Sequence, residues 1–237
     1  MLNRDMEAMP PTSKRKVDDH HNAVPAHDAA EDLRLSELLI SRFCHDLVSP
    51  IGAITNGIEL INEIGDDIRD DAIELIGGSA LVAARRLAYF RLAHGAGSQQ
   101  RAVPILDARQ VACDLFSVGR IELDWPRYLV VPFERANNSV SRMILCALLL
   151  AEEALQRGTI ELACQEDRGR LTLRLLGREP GLSEPSRTAF DGQVTPDELD
   201  PRTVHAYVTG KLIRNNGFYL TFDPISADRL DIHMGPA

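Results

Sequence analysis

Apolar residues recur with a helical period over residues 33–64. At about 100° per residue, with Leu47 as origin, Ile40, Phe43, Leu47, Ile51, Ile54, Ile58 and Ile61 fall within about 40° of one direction. A helix of that length spans about 45 Å. Gly65 followed by Asp66-Asp67 reads as a C-terminal glycine and then the acidic start of a new helix. The second helical pattern runs over residues 68–94, through Ala72, Leu75, Ile76, Val82, Ala83, Leu87 and Phe90, and Gly95-Ala96-Gly97-Ser98 ends it. Two long amphipathic helices with a short connection predict an antiparallel hairpin. A hairpin only two helices thick cannot cover both its faces. Pairing with a second copy into a four-helix bundle is the economical solution.

Beyond residue 100 the pattern changes. Residues 106–117 read as a helix, 121–124 and 128–131 as short strands, and 139–155 as a strongly apolar helix capped by Asn138 or Ser139. Residues 159–165 and 170–176 alternate as strands do, around the turn Asp167-Arg168-Gly169. Residues 178–200, rich in Pro, Ser and Asp, read as a loop. A helix over 203–216 stops at Gly217, and strands at 218–222 and 229–234 close the chain. Helices and antiparallel strands segregated in this way predict an α+β sandwich after the helical hairpin. The expected organisation is a disordered tail over 1–31, a hairpin unit over 32–98 and a sandwich over 99–237. No internal repeat is present.

Composition narrows the function class. The chain has 237 residues, 44% of them hydrophobic, and a net charge of −9. That charge repels a phosphate backbone, which argues against direct nucleic-acid binding. The longest apolar run, residues 143–151, is far short of the ~20 residues a membrane span needs. The first residues lack the basic-then-apolar order of a signal peptide. Cys44, Cys113, Cys146 and Cys164 are scattered, as reduced thiols of a cytoplasmic protein are. In the polar, proline-containing tail, Lys14-Arg15-Lys16 reads as a solvated charge run, and nothing fixes His20, His21 and His27 in a metal-binding geometry.

One polar position on the first helix has chemical content. His45 lies about 160° from the centre of the apolar stripe. Arg42, Ser49, Gly52 and Asn56 stand at offsets of three, four, seven and eleven residues and share its face. The result is an exposed imidazole beside a cation and a hydroxyl, on a face thinned by a glycine, as suits a nucleophile that another protein must reach. Pro50 removes the amide that would bond to the Asp46 carbonyl and is expected to bend the helix one turn past the histidine. A proline inside a helix costs up to ~3 kcal/mol, which is odd for a purely structural element. Cys44 leans toward the apolar stripe and reads as a buried structural thiol, because adjacent helical residues diverge and cannot form a thiol–imidazole dyad.

At these residues the sequence resembles a known family. His45-Asp46-Leu47-Val48-Ser49-Pro50-Ile51 is similar to the H-box of sensor histidine kinases, with a histidine before an acidic residue and a proline five positions on. With Arg42-Phe43-Cys44 before it and Asn56-Gly57-Ile58-Glu59-Leu60 after it, the segment resembles the ChpT-type histidine phosphotransferases of alphaproteobacterial cell-cycle phosphorelays. Leu212-Ile213-Arg214-Asn215-Asn216-Gly217 extends the resemblance over about residues 33–234. It implies that His45 accepts a phosphoryl group from the aspartyl phosphate of one receiver domain and passes it to another, while Asp46 orients the imidazole or holds its proton. Asp46 sits about 100° from His45 around the helix, so its role comes from the resemblance alone. Arg42 and Ser49 are our own assignments as stabilisers of the phosphoryl oxygens. Ser49 also occupies the position where related bifunctional kinases place a polar residue that positions hydrolytic water. Cys44, Val48, Gly52 and Asn56 are candidate partner contacts.

The hairpin leads us to expect a homodimer, and the resemblance further implies partners: the receivers of a hybrid histidine kinase, of a DNA-binding cell-cycle regulator and of a small single-domain protein. The chain would hold no cofactor, since the receiver brings the Mg2+ ion and the aspartate.

The second half looks like the ATP-binding sandwich of histidine kinases without its nucleotide motifs. No asparagine stands in Leu148-Leu149-Leu150-Ala151-Glu152-Glu153-Ala154, where a magnesium-holding one belongs. Leu175-Leu176-Gly177-Arg178-Glu179-Pro180-Gly181 lacks the adenine-reading aspartate, and Gly192 is the single glycine over 182–209, too few for a phosphate-cradling loop. Glu152-Glu153 reads as an exposed acidic helix end. Asp66, Asp67, Asp70 and Asp71 favour a helix dipole, and His94 has an ordinary electrostatic place at a helix C-terminus. His205 and His233 have no partner at ligand spacing, and Trp125 reads as core or edge packing. The expectation is a phosphotransferase that uses no ATP. Two alternatives stay open, an ATP-dependent sensor-type kinase and a non-catalytic receiver-binding scaffold.

Overall fold

A computed structural model of the chain describes residues 26–64, 68–95, 103–133, 138–165 and 169–237. Lys14-Arg15-Lys16, His20, His21, Gly65-Asp66-Asp67, Ala96-Gly97-Ser98 and Asp167-Arg168 lie outside the described residues, as does the side chain of His27.

The two long patterns form helices α1 (Ala26–Ile64) and α2 (Arg69–His94). Phe43 stacks on Phe90 with ring centroids 4.4 Å apart, and Gly57 abuts Ile76, so the helices run antiparallel. At Gly57 a Cβ would fall 2.6 Å from Ile76 Cγ1, so only glycine permits this approach. Helix α1 begins at Ala26, earlier than the periodicity indicated, and residues 26–31 are helix where a tail was expected. Its first turns follow a different partner. Leu35 and Leu38 are buried in the core of the following α/β region, and Asp32 lies 3.7 Å from Lys211. The helix runs through Pro50 without interruption, with the ring buried.

The α/β region comprises α3 (Ile105–Phe116), β1 (Ile121–Asp124), α4 (Val140–Leu155), β2 (Gly158–Gln165), β3 (Arg170–Leu176), α5 (Glu184–Asp191), a 3-10 turn (Pro196–Glu198), α6 (Val204–Asn215), β4 (Phe218–Ser226) and β5 (Arg229–Pro236). The strands form one sheet in the order β1-β2-β3-β5-β4. β1 pairs parallel with β2 and the other neighbours are antiparallel, so the sheet is mixed rather than purely antiparallel. Alternation sends Leu171, Leu173 and Leu175 of β3 and Leu230, Ile232 and Met234 of β5 into the core, where α4 is buried nearly all round. The opposite face holds polar cross-strand pairs, such as Arg174 with Glu161 at 2.8 Å and Thr172 with His233 at 2.9 Å. Trp125 is buried and its carbonyl accepts from Arg109 Nε at 2.7 Å, so it is a core residue.

Two local expectations are corrected. Residues 128–131 are not a strand. Pro126 and Pro132 bracket them, Leu129 N–H turns back to the Pro126 carbonyl, and Tyr128 is exposed. The expected loop at 178–200 contains α5, whose Ser183 cap accepts from the Ser186 amide at 3.3 Å and whose Gly192 ends it in the left-handed conformation. Among the described residues no helix is long and apolar enough to cross a membrane.

Candidate functional site

Helix α1 presents four different faces. Taking about 100° per residue from Leu47, the face near −60° meets α2 through Phe43 and Gly57. The face near −120° carries Leu35, Arg42 and Asp46, and it faces the α/β region. Ile40, Ile51 and Ile58, near +20° to +40°, remain exposed in the single chain. His45, near 160°, belongs to none of these, and its side chain is 84% exposed.

The imidazole therefore stands at the rim of a cleft between the hairpin and the α/β region, about 80° around the helix from the cleft wall. Asp46 lies between two of its neighbours. Its Oδ2 accepts from Arg42 Nε at 3.3 Å, and its Oδ1 is 3.7 Å from His45 Nδ1. The structure thus brings Asp46 closer to the imidazole than the wheel indicated, within electrostatic reach though beyond a direct hydrogen bond. Ser49 is exposed one turn on and lines two grooves. Val48 and Asn56 are exposed, and a Cβ at Gly52 would meet nothing within 4 Å. Cys44 is exposed as well, which corrects the expectation of a buried thiol: the stripe toward which it leans is uncovered.

Sequence reasoning missed the far wall of the cleft. Arg86 of α2 donates to Glu152 of α4 at 3.2 Å, so Glu152 is a bridging residue and not a free acidic helix end. Glu153 accepts a hydrogen bond from Ser186 Oγ. Arg42, Asp46, Arg86, Glu152 and His205 line a cavity of about 290 Å³, and Ser49, Arg86, Arg120 and Glu152 line a neighbouring one of about 500 Å³. Arg86 and Glu152 are separated by 66 positions, and no local pattern announces such a pair.

Beneath the cavity lie two buried histidines. His205 Nε2 donates to the Cys146 carbonyl at 3.1 Å, and its ring meets that of His94 edge-on at 5.6 Å. Burial, reinforced by His205 and Arg142, pushes His94 down to about 3; burial outweighs the Cys146 hydrogen bond and takes His205 down to about 4. His94 is therefore neutral, and the reading of it as a cation at a helix end is corrected. Tyr89 Oη donates to the Leu145 carbonyl at 2.7 Å and Arg142 Nε to the Ala93 carbonyl at 3.0 Å, tying the end of α2 to α4. Among the described residues no three histidine, cysteine, aspartate or glutamate side chains converge as a metal site.

Comparison with known proteins adds three findings. The family described as "Histidine phosphotransferase C-terminal domain" matches residues 106–227. A Brucella abortus (strain 2308) protein named protein phosphotransferase ChpT is 32% identical over 200 residues, which cover 83% of this chain and 93% of that protein. A solved structure described as that of a bacterial phosphotransferase aligns with a TM-score of 0.69 at 30% identity, over 85% of this chain and 96% of that one.

Proposed function

The chain belongs to the histidine phosphotransferase family, and from that premise we propose that His45 is its phosphoryl-carrying residue. The protein is a phosphotransferase of a His-Asp phosphorelay, and receiver domains of response regulators are its partners. The observation that carries the assignment of His45 is its position: 84% exposed, at the rim of the cleft, two turns past the point where the same side of α1 buries Leu38.

In the forward step a His45 ring nitrogen attacks the phosphorus of a receiver's aspartyl phosphate. The P–N bond forms as the P–O bond breaks, the aspartate leaves as carboxylate, and the imidazole N–H proton is lost on return to neutrality. Transfer to the next receiver reverses these bond changes. Asp46, beside Nδ1, stabilises a proton there and leaves the Nε2 lone pair free to attack. Arg42, held by Asp46, and Ser49 supply positive charge and a hydroxyl to phosphoryl oxygens, which is the main help that phosphoryl transfer needs. Mg2+ comes with the receiver's own carboxylates and the chain holds no cofactor. Cys44, Val48, Gly52 and Asn56 flank the nucleophile as contacts for the receiver.

The working unit is a homodimer. Ile40, Cys44, Leu47, Ile51, Ile54, Ile58 and Ile61 alternate in steps of four and three, and Ile73, Ala80 and Leu87 of α2 recur every seven residues on an exposed line. Repeats of this kind, with Ile40, Cys44, Ile51 and Ile58 exposed and Leu47, Ile54 and Ile61 half-buried, fit a second hairpin in a four-helix bundle. Residues 32–98 form the transfer and dimerisation unit, and residues 99–237 an ATPase-like sandwich that has lost nucleotide binding. The protein acts in the cytoplasm, between a hybrid kinase's receiver and those of a DNA-binding cell-cycle regulator and a single-domain protein.

The test is transfer of radiolabelled phosphoryl from charged receiver domains to the native chain and to His45→Ala, with ATP alone as control. Label on the native chain only, and none from ATP, is the expected result. Label from ATP alone would establish an autokinase. Absence of label from every receiver offered would leave a scaffold.

A further inference from the structure

Arg85 and Arg86 are adjacent on α2, leave it in different directions and each bridge to the α/β region. Arg85 Nη1 donates to the Asp114 carbonyl at 2.9 Å and to Ser117 Oγ at 2.5 Å, at the C-terminal end of α3. Arg86 uses one nitrogen, donating from Nη2 to Glu152 Oε1 at 3.2 Å. The two side chains of that pair are 25% and 31% exposed, which shields them from water more than an ordinary surface pair.

The pair joins α2 to α4 across the cleft whose α1 wall carries Arg42 and Asp46. Arg86, Glu152 and Gln156 line both cavities, the one that Arg42 and Asp46 close and the one that Ser49 closes. Arg42 and Ser49 bracket His45 by one turn on either side. The bonds of Tyr89 and Ala93 to α4 lie about 4.5 and 10.5 Å farther along the α2 axis and are buried. Of these bridges from α2 to α4, Arg86–Glu152 is the one whose side chains line the cavities that Arg42, Asp46 and Ser49 close.

We propose that Arg86 is a positioning residue for phosphoryl transfer: anchored on Glu152, it fixes the cleft wall beside His45 against which a folded partner domain docks. The inference rests on the phosphorelay reading of His45. It separates two kinds of donor. A small phosphoryl donor reaches the exposed imidazole directly, so the position of the wall does not matter to it. A receiver domain must fit the rim and the wall together, and a wall free to shift costs it productive encounters.

The experiment compares the full native chain with Arg86→Gln, Glu152→Gln, the double variant and the exchanged pair Arg86→Glu/Glu152→Arg. One donor is phosphoramidate, whose P–N bond to ammonia breaks as a P–N bond to His45 forms, the ammonia leaving with a proton from solvent. The other is a receiver domain charged with acetyl phosphate, from which the native chain accepts phosphoryl. Labelling by phosphoramidate is expected to stay within about twofold of native in all four variants. Transfer from the receiver is expected to fall about tenfold in kcat/KM in each single variant, mainly through KM. The double variant should be no worse than either single, and the exchanged pair should recover most of the loss.

Native transfer by Arg86→Gln overturns the inference. Equal loss with both donors overturns it too, because Arg86 then acts on the chemistry or on the fold. So does loss in Arg86→Gln with none in Glu152→Gln, which would make Arg86 a direct contact. A native chain labelled at His45 by phosphoramidate and by no receiver instead removes the phosphorelay reading, and the inference with it.

Discussion

Acid should unlock the junction between the hairpin and the α/β region through two histidines. His94 ends α2 and His205 lies on α6, with their rings 5.6 Å apart. Burial takes them down to about 3 and about 4 respectively. The groups that face His205 are the Cys146 carbonyl, Thr209, Arg42 and Asp46, and Arg142 and His205 face His94. Desolvation outweighs the Cys146 bond and Asp46, which favour protonation of His205, while Arg42 opposes protonation of His205 and Arg142 that of His94.

A free imidazole titrates near 6.5, so the folded-state values lie below the unfolded ones. Between about pH 6.5 and pH 4 the unfolded chain takes up protons that the folded chain refuses. Stability is therefore fully present above pH 6.5 and declines as pH falls toward the folded values. At pH 5 the loss is about 2 kcal/mol for each histidine, or about 4 kcal/mol for the pair, against a typical total of 5–15 kcal/mol.

Urea unfolding of native chain and His205→Gln at pH 7.5 and pH 5.0 measures this directly. Glutamine keeps an amide near the Cys146 carbonyl and cannot take up a proton, so its stability should fall by about 2 kcal/mol less than native on acidification. Equal pH dependence in the two proteins would refute the reasoning, for it would place the acid sensitivity in other groups.

Three further variants probe the frame. Ile51→Glu with Ile58→Glu, on the exposed repeat of α1, should convert a scattering mass of two chains to that of one while helical content stays native. A native protein of single-chain mass would dismiss the bundle. Gly57→Leu should lower the urea midpoint by the equivalent of about 2 kcal/mol, because its first carbon already overlaps Ile76 and α1 must move off α2. Arg142→Met should cost about 2 kcal/mol in thermal unfolding, since it removes a buried, charge-assisted bond to the Ala93 carbonyl while keeping most of the volume.

What the sequence reveals here depends on how locally each feature is encoded. The hairpin was legible because the apolar positions of α1 repeat in steps of three and four, and the paired strands because β2 and β3 alternate around a turn. The start of α1 was misplaced for a related reason. Leu35 and Leu38 serve the α/β core and not the stripe around Leu47, so a wheel centred on that stripe does not register them. Helix α5 was readable and overlooked: Ser183 at the cap, Pro185 in the first turn and Gly192 after the last are a local signature. Residues 128–131 show the reverse error, an apolar run with proline at both flanks and no strand to pair with. His45 was found because an imidazole on the polar side of an amphipathic helix is a local anomaly. Its surroundings were not, because a wheel gives a residue's direction from its own axis and says nothing of what that direction meets. Arg42, Asp46 and Leu35 share one direction, and only the fold brings Glu152 and His205 opposite it, more than one hundred positions along the chain. A cleft built from two regions has no period and no fixed spacing. Its charges read as ordinary helix surface until the chain closes around them.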